Sequence, residues 1–339
     1  MSKRFEWLLI LLFGLLACKQ EAPVMVMTSV ELEIPEGFPE MEIPENNALT
    51  EERIALGKKL FFDPSLSRDR TISCASCHLQ SLAFTDGVSR SIGINQRLSL
   101  RNSPTLANVG FHPYFFAEGG SPTLELQVIG PIENPDEMDF TARELEDRLV
   151  MDEEYNRLAQ EAYGRPMSMW VLVRAIASFE RTMISGNSPY DFYLREGKST
   201  LFSEQAKRGM ELFFDDRLNC AQCHPAPLFT DFSLQNIGLT GYEEDAGRFR
   251  VTLDSADIGK FKTPTLRNIA LTAPYMHDGR FETLDQVLDF FDRGGSGHFN
   301  QSEWVRPLGL TESEKKALKA FMEALTDDDF INQTSFQSK

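Results

Sequence analysis

Apolar residues recur every three or four positions along six segments of this chain, a spacing that predicts helices with buried faces. The segments are residues 50–62, 141–162, 168–184, 203–214, 283–291 and 311–325. Thr50 and Ser203 stand before two of them as N-cap residues, each followed by acidic residues that favour the positive end of a helix. No segment alternates convincingly between apolar and polar residues over the length of a strand. The predicted fold class is therefore mainly α.

Two stretches rich in helix-breaking residues divide these helices into groups. Residues 19–48 contain four prolines and no sustained periodicity, which predicts a tether. Residues 186–200 begin with the sequence Gly-Asn-Ser-Pro and predict an inter-domain hinge. The chain has 339 residues, of which 42% are hydrophobic, so each of two domains can bury its own core. We therefore predict one domain at residues 49–200 and a second at residues 201–330.

Short motifs recur in the same order in the two halves, which indicates an internal duplication. Residues 60–63 match 212–215, 104–106 match 264–266, 113–114 match 274–275, 118–119 match 278–279, and 123–125 match 283–285. The matching motifs are separated by roughly 150 to 160 residues throughout. An ordered series of matches is much less expected by chance than any single match.

The pentapeptide Cys-x-x-Cys-His occurs once in each half and is the most specific chemical signal in the sequence. In a c-type cytochrome both thiols add to the haem vinyl groups and the histidine ligates the iron. The residues are Cys74, Cys77 and His78 in the first half and Cys220, Cys223 and His224 in the second. The alternative is a zinc site built from two Cys pairs, but such pairs usually lie about 15–20 residues apart. The motifs therefore predict two covalent haem c groups, with His78 and His224 as iron ligands.

Residues 1–18 have the pattern of a secretory signal peptide, with two basic residues before a short apolar run. The sequence Leu-Leu-Ala-Cys that ends at Cys18 resembles a bacterial lipobox, which predicts a lipid anchor on Cys18. An ordinary signal peptide with a buried Cys is the alternative. Either interpretation places the mature protein on the periplasmic side of the bacterial cell envelope, where c-type haem is attached. No other apolar run approaches the roughly 18 residues that a spanning helix requires.

The formal net charge of −17 argues against nucleic acid as a partner, because nucleic-acid-binding proteins present basic surfaces to the phosphates. An acidic surface can attract a basic redox protein. The alternative is a solvated surface that only keeps the protein soluble.

Taken together, the ordered motifs closely resemble those of the bacterial di-haem cytochrome c peroxidase family, which includes the MauG enzymes that mature tryptophan tryptophylquinone. The resemblance covers residues 50–325 and rests on both haem motifs and on residues 56–64, 101–105, 130–138, 263–268 and 273–279. It implies a peroxidatic haem in the N-terminal domain, an electron-accepting haem in the C-terminal domain and a calcium ion between them.

The resemblance also implies roles for individual residues. Gln127 and Glu137 match the family's distal glutamine and glutamate, and a carboxylate beside an open iron can move the proton that O–O cleavage requires. The calcium position takes Asn102, Thr272 and Pro274, the last two through carbonyl oxygens, which suit a hard cation.

The chain departs from the family pattern at three positions. Ile94 stands where peroxidases of the family place a removable distal His, and His112 is the nearby alternative ligand. Ala117, beside Phe116, replaces the tryptophan that usually lies between the haems. Phe291 replaces the Met or Tyr that ligates the C-terminal iron, which leaves only weak substitutes: Met276, His277 and His298.

The leading hypothesis is therefore a peroxidase that reduces hydrogen peroxide with electrons from a small periplasmic donor, such as cytochrome c or a cupredoxin. One alternative is peroxide-dependent oxidation of a protein or organic substrate, as in MauG. Another is a non-enzymatic electron carrier, which needs neither an open iron nor an acid beside it. A homodimer is compatible with each of these hypotheses.

Overall fold

The computed structural model describes residues 27–197, 200–241 and 245–338. The signal peptide and Cys18 lie outside the described residues. Within them, regular structure is almost entirely helical, which confirms the predicted fold class. The strands β1 (Leu234–Gln235) and β2 (Phe261–Lys262) form one short antiparallel pair in which Leu234 faces Lys262. None of the described helices is long and apolar enough to cross a membrane.

Among the described residues, seven helices form the first half and seven follow. The first are α1 (Glu51–Phe61), α2 (Cys74–Cys77), α3 (Leu124–Gln127), α4 (Ile129–Glu133), α5 (Ala142–Leu149), α6 (Glu153–Tyr163) and α7 (Met169–Glu180) within the described residues. The others there are α8 (Pro189–Glu196), α9 (Glu204–Phe213), α10 (Cys220–Cys223), α11 (Phe249–Thr252), α12 (Leu284–Arg293), α13 (Glu312–Glu323) and α14 (Asp328–Asn332). The segment 141–162, predicted as one helix, is divided because the side chain of Asp152 caps α6.

The same helix packing organises both halves. A Cβ atom on Gly57 of α1 would lie 1.8 Å from the carbonyl oxygen of Ala175 on α7. A Cβ atom on Gly209 of α9 would lie 1.9 Å from the carbonyl oxygen of Ala317 on α13. Only glycine allows two helix backbones to approach so closely. The repeated contact supports the internal duplication.

Equivalent elements after the two haem motifs are 160 residues apart. Asn108 and Asn268 have left-handed backbones and each begins a 3-10 turn. At this spacing the bridge from Phe115 to Ser121 corresponds to the bridge from Tyr275 to Phe281. The expected match of residues 113–114 with 274–275 is therefore displaced by one residue. The one-residue error arose because a Pro-Tyr pair occurs in both halves by sequence but not at equivalent backbone positions.

Residues 186–200, predicted as a hinge, are held at their start by hydrogen bonds to a residue near the C-terminus. The Asp327 carboxylate accepts hydrogen bonds from Ser185 Oγ at 3.0 Å, Gly186 N at 2.8 Å and Asn187 N at 2.9 Å. The next residues form α8, whose Tyr190 belongs to the hydrophobic core of the second half. The core of the second half therefore already includes α8, which precedes the predicted boundary at residue 200.

Both ends of the described chain also cross the predicted domain boundaries. Residues 27–48 form no helix longer than a 3-10 turn, but they are not a free tether: Asn47 is fully buried and donates to Glu125 at 2.9 Å. At the other end, Phe330 and Phe336 pack into the core of the first half beside Phe84. The end of the predicted second domain, residues 201–330, therefore packs into the hydrophobic core of the first half.

Candidate active site

The first Cys-x-x-Cys-His motif forms one helical turn, α2. Ser73 begins this turn, and it forms a capping box with Ser76. Cys74 and Cys77 are three positions apart and therefore project from the same side of the turn. Their thiols are not joined in a disulfide. Burial raises the pKa of both thiols, which keeps them neutral.

His78 follows this turn, and its ring is oriented by the backbone. Nδ1 lies 2.8 Å from the carbonyl oxygen of Phe84 and 3.3 Å from Oγ of Ser103. Burial lowers the pKa of His78, so the ring is neutral at ordinary pH. A neutral ring that donates to a carbonyl through Nδ1 keeps the lone pair of Nε2 free for a metal.

The second motif has the same geometry. Cys220 and Cys223 are the first and last residues of α10, and burial raises the pKa of both thiols, to about 12 and about 11. His224 Nδ1 lies 2.9 Å from the carbonyl oxygen of Phe229, and burial lowers the pKa of the ring. Each half therefore presents two neutral thiols beside one oriented imidazole.

The two motifs lie in different cores, which argues against a zinc site shared between the Cys pairs. Cys74 packs against the cluster that contains Phe61 and Phe84, whereas Cys220 packs against the cluster that contains Phe213. Among the described residues no group of three or more His, Cys, Asp or Glu side chains is placed to hold a metal ion. Neutral paired thiols with an oriented histidine fit one covalent haem c in each half.

Glu137 lies in the turn after α4, and its carboxyl is held by a neighbour. Asn134 Nδ2 donates to Glu137 Oε1 at 2.7 Å. Burial raises the pKa of Glu137, and the hydrogen bond from Asn134 opposes this rise. The pKa of Cys77 is raised first by burial and then by the negative charges of Asp86 and Glu137. A partly desolvated carboxyl with a raised pKa suits proton transfer near neutral pH.

Residues 91–101 form an irregular hairpin, the distal hairpin, which packs against the turn that contains Glu137. Ile92 pairs with Leu98 across it. Ile94 N donates to the carbonyl oxygen of Glu137 at 2.8 Å, and a Cβ atom on Gly93 would lie 2.1 Å from the carbonyl oxygen of Asp136. The Ile94 side chain is buried. The distal hairpin therefore fixes the backbone of the acid and offers no ligand at Ile94.

Gln127 is the last residue of α3, whose first turn is capped by Thr123. The chain passes directly from α3 into α4 and from there to Glu137. Gln127 is partly exposed. Its predicted role in orienting peroxide oxygens beside Glu137 stays a prediction.

His112 has a contact that explains its position without an iron. Lys262 Nζ donates to His112 Nδ1 at 3.0 Å and to the carbonyl oxygen of Tyr114 at 2.9 Å. Burial lowers the pKa of His112 well below its ordinary value and lowers that of Lys262 to about 8. The main-chain N–H of Lys262 also donates to Ala117 at 2.6 Å. His112 is thus neutral and accepts a hydrogen bond from Lys262 of the other half. The same lysine contacts Ala117, which stands at the family's tryptophan position.

The residues considered as ligands of the second haem iron, and Phe291 at the family's ligand position, have the following surroundings. The His277 ring stacks on Phe261 at a centroid distance of 3.9 Å. His298 Nδ1 lies 3.1 Å from Nδ2 of Asn236. Phe291, in α12, packs edge-on against its neighbour Phe290. Met276 has a left-handed backbone with φ of 73°.

Two of the three predicted calcium ligands meet. Asn102 Nδ2 lies 3.0 Å from the carbonyl oxygen of Pro274, and Asn102 N donates to His277 at 3.2 Å. In this orientation the amide of Asn102 donates to Pro274, and the calcium site stays a prediction. Thr272 lies two residues before Pro274, and its hydroxyl donates to Ile269 at 3.3 Å.

Sequence reasoning missed three polar residues, of which Glu180 is buried and two are partly buried. Glu180, at the end of α7, is 5% exposed, and its Oε2 has no hydrogen-bond partner among the described residues. Burial raises the pKa of Glu180 to about 8. Its negative charge adds to the effect of burial in raising the pKa of Cys74. Asn134 and Lys262 are the others. Only Asn134 had a local signal, because an Asn before Pro often shapes a turn.

Comparison with known proteins identifies the family to which this architecture belongs. A sequence profile described as di-haem cytochrome c peroxidase matches residues 51–199. The chain is 37% identical over 294 residues to the methylamine utilization protein MauG of Methylorubrum extorquens, covering 86% of this chain and 82% of the relative. The chain belongs to the di-haem cytochrome c peroxidase family. It is therefore an oxidoreductase.

Other family members resemble the chain to a similar degree. A cytochrome-c peroxidase of Pseudomonas sp. (strain SCT) is 36% identical over 325 residues, covering 85% of this chain and 84% of the relative. A solved MauG-like protein associated with microbial copper homeostasis aligns with a TM-score of 0.85 and 33% identity over 91% of this chain and 99% of that chain. Family membership supports two c-type haems, one for each motif.

Proposed function

We propose that the protein reduces hydrogen peroxide to water with two electrons from a small redox protein, at the first haem motif. The observation that supports this most directly is the pairing of Glu137, a desolvated carboxyl, with Ile94, a side chain unable to ligate, beside Cys77 and His78. A pure electron carrier needs neither feature.

The haem iron, when bound, supplies the site at which peroxide binds and the electrons are delivered. His78 would hold the first iron through Nε2, and Cys74 and Cys77 would hold the macrocycle. His224, Cys220 and Cys223 would do the same for the haem that supplies the second electron. Glu137 would accept a proton from the inner peroxide oxygen and return it to the outer one, and Gln127 would orient the oxygens.

The same site supports a second candidate function, peroxide-dependent oxidation of a protein or organic substrate. It is favoured by the 37% identity to MauG. In that case the electrons come from the substrate, and no small donor protein is required.

The proposal also includes a calcium ion, a cellular compartment, a lipid anchor and an oligomeric state. A calcium ion between the halves would use the Asn102 amide and the carbonyls of Thr272 and Pro274, which the close approach of Asn102 to Pro274 supports.

The protein would function in the periplasm, and Cys18 would carry its lipid anchor. Cys18→Ser should then move the protein from the membrane fraction to the soluble periplasm, and an unchanged membrane fraction would count against the anchor. A homodimer is to be tested by sedimentation.

Assays on the purified di-haem protein distinguish the candidate functions. Denatured protein should retain two haems by mass, and Cys74→Ala combined with Cys77→Ala should remove one of them. Peroxide should then oxidise reduced cytochrome c or cupredoxin catalytically if the first function holds. Peroxide consumption with no turnover of either donor would favour the second function, and no reaction with peroxide would leave only the electron carrier.

A further inference from the structure

Asn134 connects its own turn to the carboxyl of Glu137 through its main-chain carbonyl and its side-chain amide. Its carbonyl oxygen accepts hydrogen bonds from Glu137 N at 3.0 Å and from Asp139 N at 2.9 Å. Its side-chain Oδ1 accepts from Asp136 N at 3.0 Å, and its Nδ2 donates to Glu137 Oε1 at 2.7 Å. One residue thus shapes the turn and contacts the reactive group within it.

The surrounding contacts fix the orientation of the Asn134 amide. A backbone N–H can only donate, so the amide atom facing Asp136 N must be the oxygen. The NH₂ group must then face Glu137. The carboxylate of Glu137 is an acceptor when ionised, so this contact favours its charged form.

The other charged groups around Glu137 do not provide this effect. Asp136, in the same turn, adds a like charge. Cys77, on α2, is a neutral thiol. Arg97, from the distal hairpin, donates instead to the carbonyl oxygen of Pro135 at 2.6 Å and to Asp139 at 3.3 Å. Asn134 is therefore the direct donor to the carboxylate among the described groups that surround it.

We propose that Asn134 is a positioning residue that keeps Glu137 ionised and correctly oriented at the pH at which the enzyme works. The inference rests on the proposed proton-transfer role of Glu137. Without the amide donor, burial and Asp136 would keep the carboxyl protonated at higher pH, and a protonated carboxyl cannot accept the peroxide proton. Gly93 and Ile94 hold the backbone of this turn from the opposite side, so the loss of Asn134 need not displace Glu137.

The test compares Asn134→Asp and Asn134→Ala with wild-type holoenzyme. Both variants lose the donor, whereas Asp retains the oxygen that accepts from Asp136 N. The second-order rate constant for peroxide should rise with pH through the pKa of Glu137. We expect the midpoint of that rise to move upward by about one to two pH units in both variants, as loss of a hydrogen bond to a charged group implies. At pH values above the new midpoint, Asn134→Asp should recover most of the wild-type rate.

Asn95→Asp is the matched control, because it adds the same charge at an exposed position of the distal hairpin. It should leave the midpoint unchanged. Haem content and circular dichroism show that each variant is folded. A rate that falls equally at every pH, or an unchanged midpoint in both Asn134 variants, would overturn the proposal.

A second readout does not depend on turnover. Infrared titration follows the carboxyl band that disappears in Glu137→Gln, and its midpoint should rise in both Asn134 variants. If the wild-type protein fails to react with peroxide but this midpoint still shifts, the proposed function fails while the control of Glu137 by Asn134 stands. If peroxide reacts and the band does not shift, the inference about Asn134 fails alone.

Discussion

At the scale of single residues, burial determines which titratable groups can perform chemistry. The Cys-x-x-Cys-His motifs were predictable because their function depends on local spacing. Glu137 was predictable only from the family pattern, since an acid between Pro135 and Met138 in a loop is usually solvated. Glu180 and Lys262 were not predictable, because their burial depends on residues distant in sequence. The sequence therefore predicts the groups that hold a cofactor better than the groups that tune it.

Glu137→Gln tests the acid directly. Glutamine keeps the shape of the side chain and can accept from Asn134 but cannot take up a proton. We expect both haems to be retained and the peroxide reaction to slow by about 10²–10⁴-fold, the range typical of a positioned acid–base group. Rapid-mixing spectroscopy measures this rate. Near wild-type turnover would assign the proton to another acid, and Glu133 would be examined next.

Glu180 should make stability depend on pH. Burial raises its pKa to about 8 from an ordinary value of 4.5, and Arg181 cannot neutralise it fully because that guanidinium already pairs with Glu125 at 2.7 Å. Between these pH values the unfolded chain releases the proton and the folded chain keeps it. The free energy of unfolding therefore falls as pH rises through this window.

Glu180→Gln should remove that dependence. Relative to wild type, its free energy of unfolding should increase from pH 5 to pH 8 by about 3–4 kcal/mol, because each unit of difference between the folded and unfolded pKa corresponds to about 1.4 kcal/mol. Denaturant titrations at several pH values measure the difference. Glu303→Gln, at an exposed position, is the control and should show no such trend. Parallel curves for wild type and Glu180→Gln would show that Glu180 finds a partner when it ionises.

At the scale of elements, the sequence located the helices well and the loops poorly. The caps Thr50 and Ser203 follow from local patterns. The one-turn helix α2 was missed because four residues cannot show a period. The distal hairpin was predicted only as a loop, although it fixes the turn that contains Glu137. Its backbone contacts depend on a fold that no periodicity encodes.

The distal hairpin also predicts the resting state of the enzyme. Ile94 has no lone pair, and its backbone is already bonded to Glu137. His112 is occupied by Lys262. The oxidised protein should therefore show one high-spin haem and react with peroxide without prior reduction. Visible and electron paramagnetic resonance spectra of the untouched protein check this, with Ile94→His as the variant expected to become low-spin. Two low-spin haems and a reaction that needs partial reduction would indicate a ligand from another residue.

At the scale of the whole molecule, the halves are less separate than the sequence predicted. The predicted boundary at residue 200 assumed that a Gly-Asn-Ser-Pro sequence makes a hinge, but Asp327 binds the first two residues of it and the preceding Ser185. Arg101 joins the halves as well, because it forms ion pairs with Glu118 and with Asp245. Such contacts join residues far apart in sequence, so composition and periodicity do not reveal them.

The C-terminal segment is the clearest example, and it leads to a prediction. Phe330 is 1% exposed, and its ring lies 5.4 Å from that of Phe84, the residue whose carbonyl oxygen holds His78. Gln80 Nε2, two residues after His78, donates to the Phe330 carbonyl at 3.2 Å. The end of the chain therefore supports the loop that orients the first proximal histidine.

Phe330→Ala should lower the free energy of unfolding by about 3–5 kcal/mol, as removal of a buried aromatic ring does. The loss should appear first at the haem of the first half, because the cavity opens beside Phe84 and not beside Phe229. Phe299→Ala, at a side chain that is 72% exposed, is the matched control and should change stability little. Thermal unfolding followed at the absorption bands of the high-spin and low-spin haems separates the two halves. Equal losses at both haems, or no difference from Phe299→Ala, would show that the segment does not support the first site selectively.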